Sequence, residues 1–236
     1  MRTLANLEVA GSATPGLAFA EKLGLWVSFT DAIALSAVHS LPQASTPAQV
    51  PQRSAKVVDI ENEVTSARTA LTNLITQRDR LAGDKAHIKL PEPPDTAPVG
   101  AAAYEPYRRF YMAHQREMEA TLSPLRAKVR AVLAQAAPAL QQLATLDAAL
   151  DSILYEREAK LLTKVASLLQ KRFMHLLKAH QQAVQADTSA LWMKDGAWLT
   201  HFCHDLQTVL LSELDLRLQP TLGLLEAYKN EAKTTT

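Results

Sequence analysis

The chain is poor in the residues that favour β-sheets, tight turns and disulfide frameworks. Its 236 residues include only 7 glycines, one cysteine and 6% aromatic residues. Alanine, leucine and glutamine are abundant instead, and these unbranched side chains lose little rotamer freedom in a helix. The composition therefore predicts an all-α protein, with 47% hydrophobic residues available for its core.

Other absences argue against whole classes of function. The single thiol, Cys203, cannot form an internal disulfide, which is typical of a reducing compartment. The formal net charge is only +1, so the chain has no basic excess for binding a polyanion. No apolar run reaches the roughly 20 residues that span a bilayer, and Glu8 and Pro15 interrupt the region that would otherwise resemble a signal peptide. We therefore expect a cytoplasmic protein without a transmembrane segment.

The densest apolar pattern of the N-terminal quarter is FAEKLGLWVSFTDAIALSAVHS, residues 19–40. Thr14 and Pro15 form a suitable helix start, because threonine caps a helix and proline is tolerated in the first turn. Apolar residues then recur every three or four positions until Pro42, which predicts one amphipathic helix within residues 1–41. Its predicted packing face consists of Phe19, Leu23, Trp26, Val27 and Ala34.

A second helix is predicted for residues 55–83, between two proline-rich linkers at residues 42–54 and 84–103. Its seam positions alternate three and four residues apart, with Arg78 in the one slot that is not apolar. This is the heptad pattern of a coiled coil, and the seam is roughly 37 Å long. Two roles stay open: packing inside the chain's own bundle, and a parallel homodimer in which Glu63 faces Arg68 across the seam. The seam residues are Val57, Ile60, Val64, Ala67, Leu71, Leu74 and Leu81.

Residues 104–186 carry one long apolar stripe that Pro124 and Pro138 interrupt. Ser123 can cap a new helix before Pro124, so a kink and a hairpin turn both stay open at that position. Ala137 offers no capping side chain, so we predict a kink at Pro138. The later part of the stripe contains an eleven-residue repeat, a spacing that keeps a seam nearly straight, at Leu143, Leu154, Val165 and Leu176.

Residues 187–236 are predicted to form C-terminal helices and a tail. A helix begins near Trp198, Pro220 is expected to end it, and Leu222–Tyr228 would add a short final turn or two. Together the elements predict an elongated helical bundle of coiled-coil-like long helices, preceded by the N-terminal amphipathic helix.

The sequence HFCHD, residues 201–205, is the best candidate for a metal site. His201 and His204 share one face of a helix, and Asp205 lies four residues after the first histidine. A structural zinc site needs four ligands and a catalytic site at least three, and no second cluster supplies the remainder. We therefore favour two solvent-facing histidines and expect no metal or other cofactor; a metal-binding or enzymatic bundle that uses this pair is the alternative.

Two further residues with chemical potential are expected in the core. Cys203 lies beside Phe202 and Leu206, where a thiol behaves as a small apolar side chain. His114 lies on the apolar stripe, where a satisfied core residue is a more natural interpretation than a catalytic base.

Three stretches combine basic and apolar or aromatic residues: YRRFY at 107–111, LRAKVR at 125–130 and LLQKRF at 168–173. Each lies on a predicted helix whose other face is apolar, so the favoured interpretation is a solvated face whose long side chains cover hydrophobic surface. Weak nucleic-acid binding, which we do not favour, would be salt-sensitive and would use Arg108, Arg109, Arg126 and Arg130.

The stretch at residues 19–40, together with YRRFYMAHQREMEATLSPLRAKVR (107–130) and LATLDAALDSILYEREAKLLTKVASLLQKRF (143–173), resembles a bacterial family of helical proteins described as a domain of unknown function. The resemblance carries no catalytic motif, so it implies no activity and no site residues. It implies a cytoplasmic accessory of an envelope-spanning machine, whose membrane components resemble ion-driven stator subunits and peptidoglycan-binding proteins.

The expected function is that of a non-enzymatic helical interaction or scaffold protein. Its expected partners are proteins, including subunits of a membrane-protein complex, and a second copy of the chain through residues 57–81. We expect the N-terminal helix to pack near Tyr107–Met118 or on a partner.

Overall fold

The computed structural model describes residues 26–40, 51–76, 88–92, 100–183, 192, 194 and 196–234. These residues form five α-helices and one 3-10 helix, and no β-strand occurs in these ranges. The all-α prediction is therefore confirmed, whereas coiled-coil packing stays a prediction. The helices are α1 (Phe29–His39), α2 (Pro51–Thr76), α3 (Glu105–Ala134), α4 (Pro138–Ala183) and α5 (Trp198–Thr234), with the 3-10 helix at Ala101–Tyr104.

The N-terminal amphipathic helix does not continue unbroken to Leu41 as predicted. Ser28 has an extended backbone (φ −73°, ψ 166°), so α1 begins at Phe29. The Asp31 N–H donates to the Ser28 hydroxyl (3.1 Å), and the Ser28 N–H donates to the Asp31 carboxylate (2.9 Å). This reciprocal capping box satisfies two backbone donors and favours a new helix start. The predicted start at Thr14–Pro15 lies outside the described residues.

Both predicted linkers end earlier than expected. α2 begins at Pro51 rather than near residue 55, because a proline in the first helical turn removes an N–H that has no partner there. The second linker ends at Gly100, whose φ of +69° suits glycine, and the 3-10 helix follows directly. The predicted end of α2 at residue 83 lies outside the described residues.

The two prolines of the long apolar stripe behave differently from each other. α3 continues through Pro124, which is exposed, while the chain breaks at residues 135–137 and α4 starts at Pro138. The predicted kink at Pro138 is therefore wrong. The Ala137 carbonyl accepts hydrogen bonds from the N–H groups of Leu140 and Gln141, both at 3.0 Å. These backbone bonds start the helix without a capping side chain.

Pro220 does not end α5, which runs to Thr234. An internal proline costs about 3 kcal/mol. Burial of a large apolar side chain contributes about 1.5–3 kcal/mol, and Leu218, Leu224 and Tyr228 are all buried around the proline. The summed burial outweighs the local cost, so the helix continues.

The chain divides into two compact units, which are described separately. Both contain segments of α2, α3, α4 and α5, and α1 belongs to the second. Among the described residues, the first unit holds 70–76, 88–92, 100–118 and those within 161–214, and the second holds 26–40, 51–69, 119–160 and 215–234.

Aromatic rings form the core of the first unit. Tyr104 and Tyr107 come from the 3-10 helix and the start of α3, Phe173 from α4, and Trp198 and Phe202 from α5. The centroid of the Phe173 ring lies 5.0 Å from that of Phe202 and 5.4 Å from those of Trp198 and Tyr107. These edge-on and tilted contacts are the arrangements that aromatic quadrupoles favour. They join three helices into one bundle.

Residue pairs establish the direction of α4 and α5 in the first unit. Arg172 donates to the Asp205 carboxylate at 2.9 Å, and the ring of His180 stacks on Trp198 with centroids 5.9 Å apart. Later residues of α4 thus contact earlier residues of α5. The two helices therefore run antiparallel, which is the usual arrangement in a helical bundle.

The second unit contains an αα-hairpin that ion pairs hold closed. Arg130 donates to Asp147 at 2.6 Å, and Arg126 donates to Asp147 and Asp151 at 2.6 and 2.7 Å. The arginine side chains are 17% exposed and that of Asp147 is 13% exposed. Burial by itself raises the pKa of Asp147, but hydrogen bonds from the two arginines outweigh this effect and lower the pKa. The hairpin therefore holds an ionised, largely desolvated cluster.

α2 packs antiparallel to α5 in the second unit. Arg68 on α2 donates to Asp215 on α5 at 2.8 Å. Glu61, which lies earlier on α2, pairs with Lys229, which lies later on α5. Since residue numbers rise along α5 as they fall along α2, the two helices run in opposite directions.

The residues of the eleven-residue repeat do not form the buried face of α4. Its members Leu143, Leu154, Val165 and Leu176 are all half-buried. The repeat is a property of α4 alone, whereas burial depends on where α3 and α5 lie against it. The buried apolar residues of α4 are Leu140, Ala144, Leu169, Phe173 and Leu177.

We predict that Asp147→Ala destabilises the fold by about 3 kcal/mol, because it leaves two largely desolvated arginines with only one carboxylate. Urea unfolding followed by far-UV circular dichroism measures the loss. The matched control is Glu63→Ala, which removes an exposed ion pair with Lys128 and should cost less than about 1 kcal/mol. Equal losses in the two variants would show that the hairpin cluster has no special role.

Candidate functional site

α1 lies on the second unit with one face turned toward the protein. Asp31, Leu35 and Val38 are half-buried and share this face. Hydrogen bonding by the Ser28 side chain and backbone lowers the pKa of Asp31, and the charge of Arg157 on α4 adds to the effect. No described side chain of α1 is buried.

The opposite face of α1, which we call the outward face, is apolar and uncharged. Phe29 is 83% exposed and Ile33 is 55% exposed. A surface helix normally turns its charged residues outward, yet the one carboxylate of α1, Asp31, lies on the inward face. Because residues four apart lie on the same side of a helix, the exposed residues form one stripe, which consists of Phe29, Ile33, Ala37 and Ser40 with Thr30, Ala32, Ala34 and Ser36 beside it.

The predicted N-terminal packing face fits this arrangement only in part. Trp26 and Val27 are half-buried, Ala34 is exposed, and Phe19 and Leu23 lie outside the described residues. Packing of Ala34 on a partner stays a prediction. The Ser-x-x-Asp signal at residues 28–31 is the feature that sequence reasoning missed. Phe29 and Ile33, the main outward residues, were not part of the predicted face.

α1 is also not grouped with the residues against which packing was expected. It belongs to the unit that contains residues 119–160, whereas Tyr107 and Met118 belong to the other unit and are buried there. Packing on a partner, the second expectation for this helix, stays a prediction.

The heptad seam of α2 contributes to the core of the chain itself. Ile60, Val64 and Leu71 are buried, as is Ile75, which the heptad register omits. Ala67 and Leu74 are half-buried, and Leu81 and the side chain of Val57 lie outside the description.

The flanking charges of α2 favour the same conclusion. Glu63 pairs with Lys128 on α3, and Arg68 pairs with Asp215 on α5. Both residues thus have partners within the chain, which favours the intramolecular alternative. A homodimer through residues 57–81 stays a prediction, and it would require α2 to expose side chains that the chain now buries.

The histidine pair on α5 is exposed, while the neighbouring thiol is buried. His201 and His204 face solvent and Cys203 is inaccessible, as predicted. The Asp205 carboxylate is engaged by Arg172 at 2.9 Å. Within the described ranges, no group of three His, Cys, Asp or Glu side chains is arranged to hold a metal ion. No third ligand thus reaches the histidines from this part of the chain.

A buried polar cluster in the first unit joins α3 to α5. The Tyr111 hydroxyl donates to the Glu213 carboxylate at 2.7 Å, and the Gln115 amide donates to the Tyr111 oxygen at 2.9 Å and to Glu213 at 3.1 Å. Sequence reasoning missed Glu213, although a carboxylate on the apolar stripe of α5 is a visible signal. These buried groups satisfy one another, so their evident role is to set the position of α3 against α5.

His114 is a core residue, but it is not satisfied as predicted. Its ring packs edge-on against Phe110 with centroids 4.5 Å apart. The buried Nε2 atom has no hydrogen-bond partner among the described residues. Burial lowers the pKa of His114 to about 4, because the charged imidazolium would lose its hydration. The side chain is shielded from solvent and is therefore unsuited to act as a catalytic base.

The arginines proposed for nucleic-acid binding all have carboxylate partners. Arg108 and Arg109 both bind Glu105, at 2.7 and 3.2 Å, and hydrogen bonding from Arg108 lowers the pKa of Glu105 to about 2. Arg126 and Arg130 belong to the hairpin cluster. Asp147 and Asp151 balance Arg126 and Arg130, and Arg108 and Arg109 share Glu105, so most of this positive charge is offset locally and gives little electrostatic support to phosphate binding.

A cleft of about 380 Å³ lies between α2 and α5 in the second unit. The Glu61–Lys229 ion pair crosses it, and the Thr65 hydroxyl donates to the Glu61 carbonyl at 2.9 Å. Its lining therefore includes no nucleophile with an adjacent base. The lining residues are Glu61, Val64, Thr65, Leu222, Leu225, Glu226, Lys229 and Asn230.

A comparison with protein families identifies what the chain is similar to. The family model DUF3348, described as a protein of unknown function, matches residues 1–230. The chain belongs to the DUF3348 family. This confirms the resemblance to a helical family of unknown function. Searches among curated proteins and solved structures found no significant match. The function of this DUF3348 chain is therefore inferred from the geometry of its described residues.

We predict that acid weakens the fold through His114. The folded-state pKa of about 4 lies below the ordinary value of 6.5, so between these values the unfolded chain binds a proton that the folded chain excludes. The contribution of His114 to the free energy of unfolding is therefore fully present above pH 6.5. It falls by about 3 kcal/mol in total as the pH drops to 4.

The measurement is the free energy of unfolding in urea across this pH range. His114→Phe keeps an aromatic ring beside Phe110 and removes the titrating group, so its pH dependence should be shallower by that amount. If wild type and variant lose stability in parallel, His114 is not the responsible group.

Proposed function

We propose that this chain is a non-enzymatic interaction protein, in which a helical scaffold presents the outward face of α1 to another protein surface. The observation that carries the proposal is the uncharged, apolar character of that face, with Phe29 and Ile33 largely open to solvent. None of the described helices combines the length and the apolarity needed to cross a membrane.

Two exposed side chains of α1 would supply the binding free energy. Burial of a large apolar side chain contributes about 1.5–3 kcal/mol, and Phe29 and Ile33 forgo most of this gain in the isolated chain. An aromatic residue and an aliphatic residue one turn apart are the kind of anchors that a helix uses in a partner's groove. The two side chains together can therefore supply most of the affinity of a small contact.

The capping box supports the same role. Because Ser28 and Asp31 satisfy each other's backbone donors, α1 is already helical before it meets a partner. A preformed helix loses less conformational entropy on binding than a segment that must first fold. The inward face is half-buried at Asp31, Leu35 and Val38, while the outward face stays accessible.

No observation favours the alternatives. The histidine pair lacks a third ligand in the described chain, and the arginines of the nucleic-acid hypothesis are paired. Because Cys203 is buried and is the chain's single cysteine, we propose that the protein is located in the reducing cytoplasm. On the family resemblance alone, we propose that subunits of a membrane-protein complex are among the partners.

We predict that a photo-crosslinking p-benzoylphenylalanine at Phe29 forms an adduct with a protein in cells that carry the native gene. Adding Ile33→Asp should lower the adduct yield at least tenfold, because a buried unpaired carboxylate opposes docking. Mass spectrometry of the adduct identifies the contacted protein.

The matched control is the same crosslinker at Leu216 on α5, which is 65% exposed and lies outside α1. Adducts of equal yield at both positions, or no adduct at Phe29, would contradict the proposal. Substitutions on the α2 seam, such as Leu71→Asp, are unsuitable for this purpose because Leu71 is buried and its replacement would test folding.

A further inference from the structure

We propose that the exposed side of α4 in the first unit binds an acidic helix of another protein, through a row of lysines that consists of Lys164, Lys171 and Lys178. We call these residues the basic row. They lie on a different helix from α1, so the inference is independent of the outward face of α1 and adds a second contact surface to the proposed function.

The three lysines of the basic row lie in line on one side of α4. They are spaced seven residues apart, which corresponds to about two helical turns and a rise of about 10.5 Å. Side chains at this spacing point in nearly the same direction, with a drift of about 20° per step. All three are exposed, and Phe173, on the opposite side of the helix, is buried. The basic row is therefore a nearly straight line of charge about 21 Å long.

The charge of the basic row is not offset by carboxylates of the described residues. No aspartate or glutamate occurs at residues 159–183, and none of the three lysines has an ion-pair partner in the described part of the chain. Carboxylates elsewhere in the first unit are engaged with other groups, as Asp205 is with Arg172 and Glu105 is with Arg108. The row therefore creates a local positive potential that attracts an anionic partner.

The surroundings of the basic row do not fit a membrane. Between Lys164 and Lys178 the exposed residues are Ser167, Lys171 and His175, all of them polar. Membrane-surface helices combine basic residues with an apolar face that enters the bilayer, and segments that bind anionic lipid hold roughly four to eight basic residues. The row has three lysines and no exposed apolar side chain among them.

A nucleic acid fits the basic row poorly as well. Domains that bind nucleic acids carry a marked basic excess, whereas the net charge of this chain is only +1. No aromatic side chain on which a base could stack is exposed between Lys164 and Lys178. In the same unit, Arg108 and Arg109 share Glu105 and thus add little to the row.

An acidic helix matches both the sign and the spacing of the basic row. Carboxylates seven residues apart on a second helix repeat the rise of about 10.5 Å, so each lysine meets one carboxylate. Charged rows of this kind select the partner when two helices pair, and the long lysine stems cover apolar surface of the partner while their ammonium groups form ion pairs. Exposed ion pairs are individually weak, so we expect a weak, salt-dependent contact that contributes specificity and faster association.

Fluorescence anisotropy with two labelled helical peptides tests the proposal. The first peptide carries three glutamates seven residues apart on one face, and the second has the same composition with the glutamates five residues apart, so that they lie on different faces. The full chain should bind the first peptide at least about fivefold more tightly than the second. Raising the salt from about 20 to 150 mM should weaken this binding at least about threefold.

Charge reversal tests whether the basic row is the contact. Lys171→Glu should weaken binding of the first peptide at least about threefold, and Lys194→Glu, the matched control on an exposed lysine of the same unit outside α4, should leave it unchanged. Reversal of all three lysines should abolish this binding and create binding of a peptide with lysines in place of its glutamates. Far-UV circular dichroism verifies that each variant is folded.

Equal binding of the two acidic peptides, or no binding of the first at about 1 mM chain, overturns the acidic helix as the partner. Tighter binding of a DNA duplex, or of vesicles that contain phosphatidylserine, at the same salt overturns it in favour of another class of partner. If the triple variant does not bind the lysine peptide, the basic row is not the contact. None of these outcomes affects crosslinking from residue 29, so the proposed function is tested separately.

Discussion

Burial of the apolar stripes on α3 and α5 governs most of this fold. Each unit buries side chains from both helices, such as Tyr107 and Phe202 in the first and Leu125 and Leu218 in the second. The free energy gained by this burial exceeds the local cost of a proline inside a helix. For this reason the stripes continue where local signals alone would end them.

Charged residues have a secondary but specific role in the same design. The hairpin cluster of Arg126, Arg130, Asp147 and Asp151 closes α3 against α4, and the Glu213 cluster sets α3 against α5. Such networks add little net stability compared with apolar packing, but they penalise any other register. They also pair Arg126 and Arg130 with carboxylates, so these two arginines do not form an unpaired basic surface.

α1 is the exception to this pattern, and the functional proposal depends on that contrast. The other four helices each bury side chains in a unit, whereas the described residues of α1 bury none. The capping box supports the start of α1. Its apolar outward face therefore contributes nothing to the isolated chain's core, and its most natural use is contact with another surface.

Composition and periodicity were sufficient to predict the all-α fold, the amphipathic stripe around Tyr107–Leu133, the buried Cys203 and the exposed His201 and His204. These properties depend on residues close together in the sequence. The behaviour of Pro138 and Pro220, the burial of Ile75 and the partners of Glu63 and Arg68 could not be predicted in this way. The continuation through Pro220, the burial of Ile75 and the two ion pairs depend on side chains from distant parts of the chain, and only their packing in three dimensions specifies which faces are buried. The helix start at Pro138 depends instead on backbone hydrogen bonds that the pattern of side chains does not reveal. The same reason applies to the outward face of α1, because an apolar stripe reveals its exposure only when the rest of the chain has folded without covering it.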